Sequence, residues 1–73
     1  MASVRLTAPQ VELLTDIATH PEYFLRRYSR WEKTGHVLHR HGFASLHSEG
    51  MTHVRIVITN AGREEAKRRG IIQ

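Results

Sequence analysis

Residues 54–63 read VRIVITNAGR, and within them the apolar pattern changes from that of a strand to that of a helix. Val54, Ile56 and Ile58 occupy every second position, which places them on one face of a strand predicted over residues 52–59. Thr59 and Asn60 are residue types that cap helix N-termini. Residues 61–69 then predict a short polar helix that ends at Gly70.

A second strand is predicted just upstream. Residues 43–47 also alternate, and residues 48–51 contain a glycine turn before the strand at 52–59. Two such runs around a glycine turn predict a β-hairpin.

The N-terminal half begins with a helix predicted over residues 8–19. Residues 7–10, TAPQ, have the form of a capping box with proline in the first turn. The helix ends before Pro21, because the residue preceding a proline disfavours helical dihedrals. Its apolar face recurs at spacings of three and four and consists of Val11, Leu14, Ile17 and Ala18.

A second helix is predicted from Ser29 to Arg40, with a C-terminal stop at His41 and Gly42. Its apolar face consists of Trp31, Thr34, Val37 and Leu38. Gly35 inside this helix weakens it by about 1 kcal/mol relative to alanine.

Residues 21–29 fit two structures. One is a short helix that carries Tyr23, Phe24 and Tyr28 inward. The other is an extended aromatic segment, because Tyr and Phe also favour strands.

The order helix, undecided segment, helix, hairpin, helix predicts one α+β domain over residues 1–73. Residues 54–63 resemble the end of many winged-helix transcription regulators, a strand followed by Ile-Thr-x-x-Gly-Arg. Residues 38–43, LHRHGF, are similar to the end of the recognition helix in that family. The resemblance implies a small helical core with a two-stranded wing. The chain departs from the family at Gly35 and in lacking the flanking dimerisation helices of many members.

Composition narrows the classes of function. The 73 residues contain 11 Lys and Arg, 7 Asp and Glu and no Cys, with a formal net charge of +4. Disulfides and thiolate metal sites are therefore excluded, and the basic balance favours an anionic partner. No nucleophile elbow or glycine-rich phosphate loop is present, and Glu64 and Glu65 are interpreted as a solvated face, so we do not expect an enzyme.

The positive charge is concentrated in residues 26–55, which predicts that binding occurs there. Trp31 and Tyr28 are interpreted as core residues rather than as base-stacking groups. The candidate binding residues for a partner or nucleic acid are Arg26, Arg27, Arg30, Lys33, His36, Arg40, Arg55 and Arg63.

Histidine is enriched, with five of the six histidines in residues 36–53. His36 and His39, with a wing histidine, have a spacing that suits a metal. Solvated histidines on a basic surface are the more ordinary interpretation, and we predict no metal and no cofactor.

Two classes of partner fit these residues. A DNA-binding repressor or excision-type factor would use the second helix, but that helix contains no Asn or Gln to read bases. A large protein partner suits the mixture of Arg, Tyr and Trp near residues 23–31.

In size and basic character the chain also resembles small phage-encoded regulators that bind bacterial RNA polymerase. This resemblance implies a monomer that binds host polymerase, and nucleic acid beside it, to inhibit initiation or cause antitermination. No apolar run approaches the roughly 18 residues of a membrane span, and none follows residues 1–6 as in a signal peptide. We therefore expect no membrane partner and a location in the cytoplasm of a bacterial host cell.

Overall fold

The computed structural model describes residues 5–73 and contains three helices and three strands in that range. The elements are α1 (Ala8–Thr19), β1 (Tyr23–Arg26), α2 (Arg30–Arg40), β2 (Ala44–Glu49), β3 (His53–Ile58) and α3 (Asn60–Arg68). The α+β class and the predicted order of elements are confirmed, including the hairpin and the short final helix. Residues 1–4 of the predicted domain lie outside the described part of the chain.

The predicted bounds of α1 are confirmed. The predicted capping box is present, and in it the Thr7 backbone N–H donates to Gln10 Oε1 at 3.0 Å. The helix ends at Thr19, and its C-cap His20 is extended, directly before Pro21. Leu13, Leu14 and Ile17 are buried in the core.

The three strands form an antiparallel sheet in the order β1-β3-β2. The hairpin of β2 and β3 is thus extended by β1, which pairs with the free edge of β3. Leu25 of β1 pairs with Val54, and Leu46 of β2 pairs with Ile56. The predicted alternation of β3 is confirmed, because Val54, Ile56 and Ile58 are all buried.

The undecided segment is a strand rather than a helix. It buries Leu25, because side chains of a strand alternate between its two faces. The helical alternative, with its three aromatic residues inward, is wrong: Phe24 is 47% exposed and Tyr28 is 89% exposed. Tyr23 is half-buried.

Helix α2 packs on the inner face of the sheet through Gly35. A Cβ at this position would lie 2.7 Å from Leu25 Cδ1, 3.4 Å from Ile56 Cδ1 and 3.7 Å from Leu46 Cδ2. These atoms belong to all three strands. Gly35 therefore allows a close approach of the helix to the centre of the sheet, in addition to weakening the helix locally.

A hydrogen-bonded junction joins the end of the hairpin to α3. The Thr59 N–H donates to Phe43 O at 3.0 Å, and Thr59 Oγ1 donates to Gly42 O at 2.6 Å. The same hydroxyl accepts from the Gly62 N–H at 3.0 Å and so caps α3 as predicted. A Cβ at Gly62 would lie 2.1 Å from Phe43 O, so the junction has no room for a side chain there.

We expect Gly62→Ala to lower the free energy of unfolding by more than about 2 kcal/mol, because the new methyl overlaps a backbone oxygen. Urea unfolding followed by far-UV circular dichroism measures this change. Ala61→Ser, at an exposed neighbour on the same helix, is the control and should change stability by less than about 0.5 kcal/mol. Equal stability of the two variants would contradict the close approach.

Tyr23 connects β1 to α1, since its hydroxyl donates to Asp16 Oδ2 at 2.9 Å. Burial, followed by the hydrogen bond and the charge of Asp16, raises the pKa of Tyr23 above 10.0. The neutral phenol is therefore favoured in the folded state. Its contribution to stability is complete below pH 10 and is lost as the pH rises through the folded pKa.

Tyr23→Phe should lower the free energy of unfolding by about 1 kcal/mol at pH 7, because a hydrogen bond is lost. The difference between wild type and variant should shrink above pH 10, where the wild-type phenol ionises. Urea unfolding at pH 7, 9 and 11 tests both statements. A difference that stays constant over this range would contradict the link to Tyr23 ionisation.

Candidate functional site

The outward face of α2 carries a basic stripe formed by Lys33, His36 and Arg40. These residues are three and four positions apart on the helix, and all three are exposed. The opposite side of α2 buries Thr34, Gly35 and Leu38 against the core. Contact with the sheet through Gly35 therefore turns the basic stripe to solvent.

Local capping sets the ends of this helix. Ser29 caps the N-terminus by accepting from the Glu32 N–H at 3.2 Å. At the C-terminus Gly42 has φ +81°, and the Phe43 N–H donates to Leu38 O at 2.9 Å. The predicted stop at His41 and Gly42 is confirmed.

Most of the charge on the basic stripe is free of intramolecular pairing. In residues 5–73, Lys33 and Arg40 take part in no ion pair. His36 Nε2 lies 3.7 Å from Glu32 Oε2, while Glu32 Oε1 accepts from the Tyr28 N–H at 2.6 Å. The carboxylate of Glu32 is thus directed to the start of the helix. Lys33 and Arg40 remain available to an anionic partner.

The turn between β1 and α2 presents Tyr28 to solvent. Tyr28 has φ +65° and is 89% exposed, so its interpretation as a core residue is wrong. A left-handed conformation is unusual for an aromatic residue and needs support from its surroundings. The interpretation of Trp31 as a core residue is also wrong, because its side chain is exposed, at 38%, beside Pro9 and Glu12 of α1.

Arg27 supports this turn from the side of the hairpin. Its backbone N–H donates to Thr52 O at 2.8 Å, and its guanidinium donates from Nη2 to Gly50 O at 3.1 Å and to Ser48 Oγ. Arg27 therefore joins the β1–α2 turn to the hairpin tip and has fewer donors left for a partner.

The other predicted residues fall on separate surfaces. Arg30 is exposed at the start of α2, beside Trp31 and Glu12. Arg26 and Arg55 lie on the strands, and Arg55 Nε is 3.5 Å from Glu49 Oε1. Arg63 lies on α3 and lines a cleft with Thr19, His20 and Pro21 after α1. The structure thus brings together Lys33, His36 and Arg40 but not the other five predicted residues.

Three of the histidines each hydrogen-bond to a different neighbouring group. His39 Nδ1 lies 3.0 Å from Ala44 O, His47 Nε2 lies 3.1 Å from Ser45 Oγ and His53 Nδ1 lies 2.9 Å from Thr52 Oγ1. Within residues 5–73 no three His, Asp or Glu side chains are grouped so that they could hold a metal ion. The proposed sharing of a metal by His36, His39 and a wing histidine has no geometric support.

Glu65 corrects the interpretation of the Glu64-Glu65 pair as a solvated face. The Glu65 side chain is 3% exposed, whereas that of Glu64 is 67% exposed. Glu65 accepts from Arg68 Nη1 at 2.8 Å and from Arg69 Nε at 2.6 Å. A buried carboxylate requires such partners, and these two arginines are therefore engaged within α3.

Sequence reasoning did not place Phe24 among the candidate binding residues, and it interpreted Glu65 as a solvated residue. The alternation of Tyr23, Phe24 and Leu25 carried the signal for Phe24. In a strand Tyr23 and Leu25 share the inward face, and Phe24 lies on the opposite face. For Glu65 the signal was its spacing of three and four from Arg68 and Arg69, which suits ion pairs on a helix.

A scan against protein-family models finds no match, and neither do searches against curated proteins and solved structures. Over residues 5–73, each helix is too short or too polar to cross a membrane.

Proposed function

We propose that the protein is a small regulator of transcription that binds the phosphate backbone of duplex DNA through the basic stripe of α2. The observation that carries this proposal is that Lys33 and Arg40 are exposed and form no ion pair within residues 5–73, on a helix whose other side is buried. An α-helix fits the major groove of B-form DNA, and cations beside it displace counterions from the phosphates. The hairpin is available as a wing, in line with the resemblance to winged-helix regulators.

Binding of this kind is governed by phosphates rather than by base sequence. α2 contains no Asn or Gln, so the side chains best suited to reading adenine are missing. The protein then acts as a monomer in the bacterial cytoplasm and binds many DNA sequences with similar affinity, with its position on DNA set by other factors.

The test is fluorescence anisotropy with a labelled 20-base-pair duplex over a range of salt concentrations. Lys33→Gln/Arg40→Gln should weaken binding at least tenfold at low salt and lower the salt slope by about 2, because two phosphate contacts are lost. Arg63→Gln/Lys67→Gln removes the same charge from α3 and should weaken binding no more than threefold. Equal losses in both double variants would show that α2 is not the contact surface, and no duplex binding by the wild type would refute the proposal.

A second candidate function is binding to bacterial RNA polymerase as a phage-encoded inhibitor or antiterminator. The observation in its favour is the exposed Tyr28, held in a left-handed turn that directly precedes the helix on which Arg30 and Trp31 are also exposed. Tyr, Trp and Arg most often dominate the energetics of protein interfaces. Host polymerase would then be the main partner, and the basic stripe would contact nucleic acid held by it.

Tyr28→Gly tests this candidate without imposing strain, because glycine accepts a positive φ. We expect it to weaken binding to purified bacterial RNA polymerase at least tenfold in biolayer interferometry, through loss of the aromatic contact. Met51→Ser is the matched control, since Met51 is also 89% exposed but lies in the hairpin turn, and it should bind like the wild type. Absence of polymerase binding by the wild type would remove this candidate.

A further inference from the structure

The outward face of the sheet is a second surface, distinct from the basic stripe of α2. Strand pairing places Phe24 opposite Arg55 and Arg26 opposite His53, while His47 lies on the other side of Arg55. These positions alternate with the buried residues of each strand, so they share the face directed away from α2. All of these side chains except Arg55 are exposed, and Arg55 is half-buried.

This outward face is basic and carries an exposed aromatic ring. It contains the guanidinium groups of Arg26 and Arg55 and the imidazoles of His47 and His53. Among the residues of the three strands, Glu49 is the one carboxylate on this face, and it is paired with Arg55 at 3.5 Å. Phe24 is 47% exposed, although an apolar side chain of this size gains by burial.

We propose that the outward face of the sheet binds single-stranded nucleic acid, with a base stacked on Phe24 and phosphates held by Arg26 and Arg55. Aromatic rings within a basic groove are the usual means of binding single strands without sequence preference, because every base has a π-face. A six-residue strand such as β3 spans about 20 Å, which is enough for a few nucleotides.

Two other occupants of this face, a second copy of the chain and duplex DNA, are disfavoured by charge and by shape. A second copy of the chain would bring Arg26 and Arg55 toward their own counterparts, and like charges repel. Bases of a duplex are stacked inside the helix, where a ring on a flat sheet does not reach them. The proposal thus uses a different surface and a different form of nucleic acid from the proposed α2 function.

The experiment measures anisotropy of a fluorescein-labelled eight-nucleotide oligo(dT) with the full chain. Phe24→Val keeps a strand-forming apolar residue but removes the ring, and should weaken binding at least fivefold. Phe24→Trp restores a stacking surface and should bind within twofold of the wild type. An abasic oligonucleotide of the same length and charge should bind wild type at least tenfold more weakly than oligo(dT).

Two further arms separate this proposal from the α2 function. Lys33→Gln/Arg40→Gln should retain oligo(dT) binding within threefold, and Phe24→Val should retain duplex binding within twofold. Thermal unfolding by circular dichroism establishes that each variant is folded.

The proposal is overturned if the wild type does not bind oligo(dT) or if Phe24→Val binds it like the wild type. It is also overturned if the abasic strand binds equally well, because stacking would then contribute nothing. A wild type that is dimeric by light scattering, with a monomeric Phe24→Val, would assign the face to self-association instead.

Discussion

The contact of Gly35 with the inner face of the sheet determines what the rest of the molecule can present to solvent. Leu25, Leu46 and Ile56, one residue from each strand, lie beneath this single position. Because the helix approaches so closely, one side of α2 is covered and the other is left to charged residues. The same contact covers the inner face of the sheet, so Phe24 and its neighbours face outward. One packing arrangement thus leaves both candidate surfaces exposed, the basic stripe of α2 and the outward face of the sheet.

Local patterns accounted for α1, the hairpin and α3, because proline, glycine turns and a Thr cap act over a few residues. They did not decide β1, whose four residues become a strand only by pairing with β3 about 30 residues later. The position of Tyr28 likewise depends on that pairing and on Glu32. The α2 part of the candidate site was accessible from helical spacing, whereas the separation of Arg26, Arg55 and Arg63 from it was set by tertiary structure.

The Ile-Thr-x-x-Gly-Arg run, on which the family resemblance rested, has a structural explanation in this chain. Ile58 is in the core, Thr59 bridges Gly42 and Gly62, and Gly62 leaves room for the carbonyl of Phe43. Three of the four specified residues of the run thus serve the core and the junction, and the fourth, Arg63, is exposed beside the end of α1. The run therefore describes how a hairpin is joined to a helix, and it carries little information about a ligand.

Arg27 joins two parts of the chain that are far apart in sequence, the β1–α2 turn and the tip of the hairpin. The relative position of these two parts is established when the chain folds. The conformational entropy of the two segments is lost at that stage. A partner that contacts both the hairpin and the start of α2 then loses little additional freedom in engaging the second after the first. Through this link a chain of 73 residues presents two separated contacts as one preorganised unit.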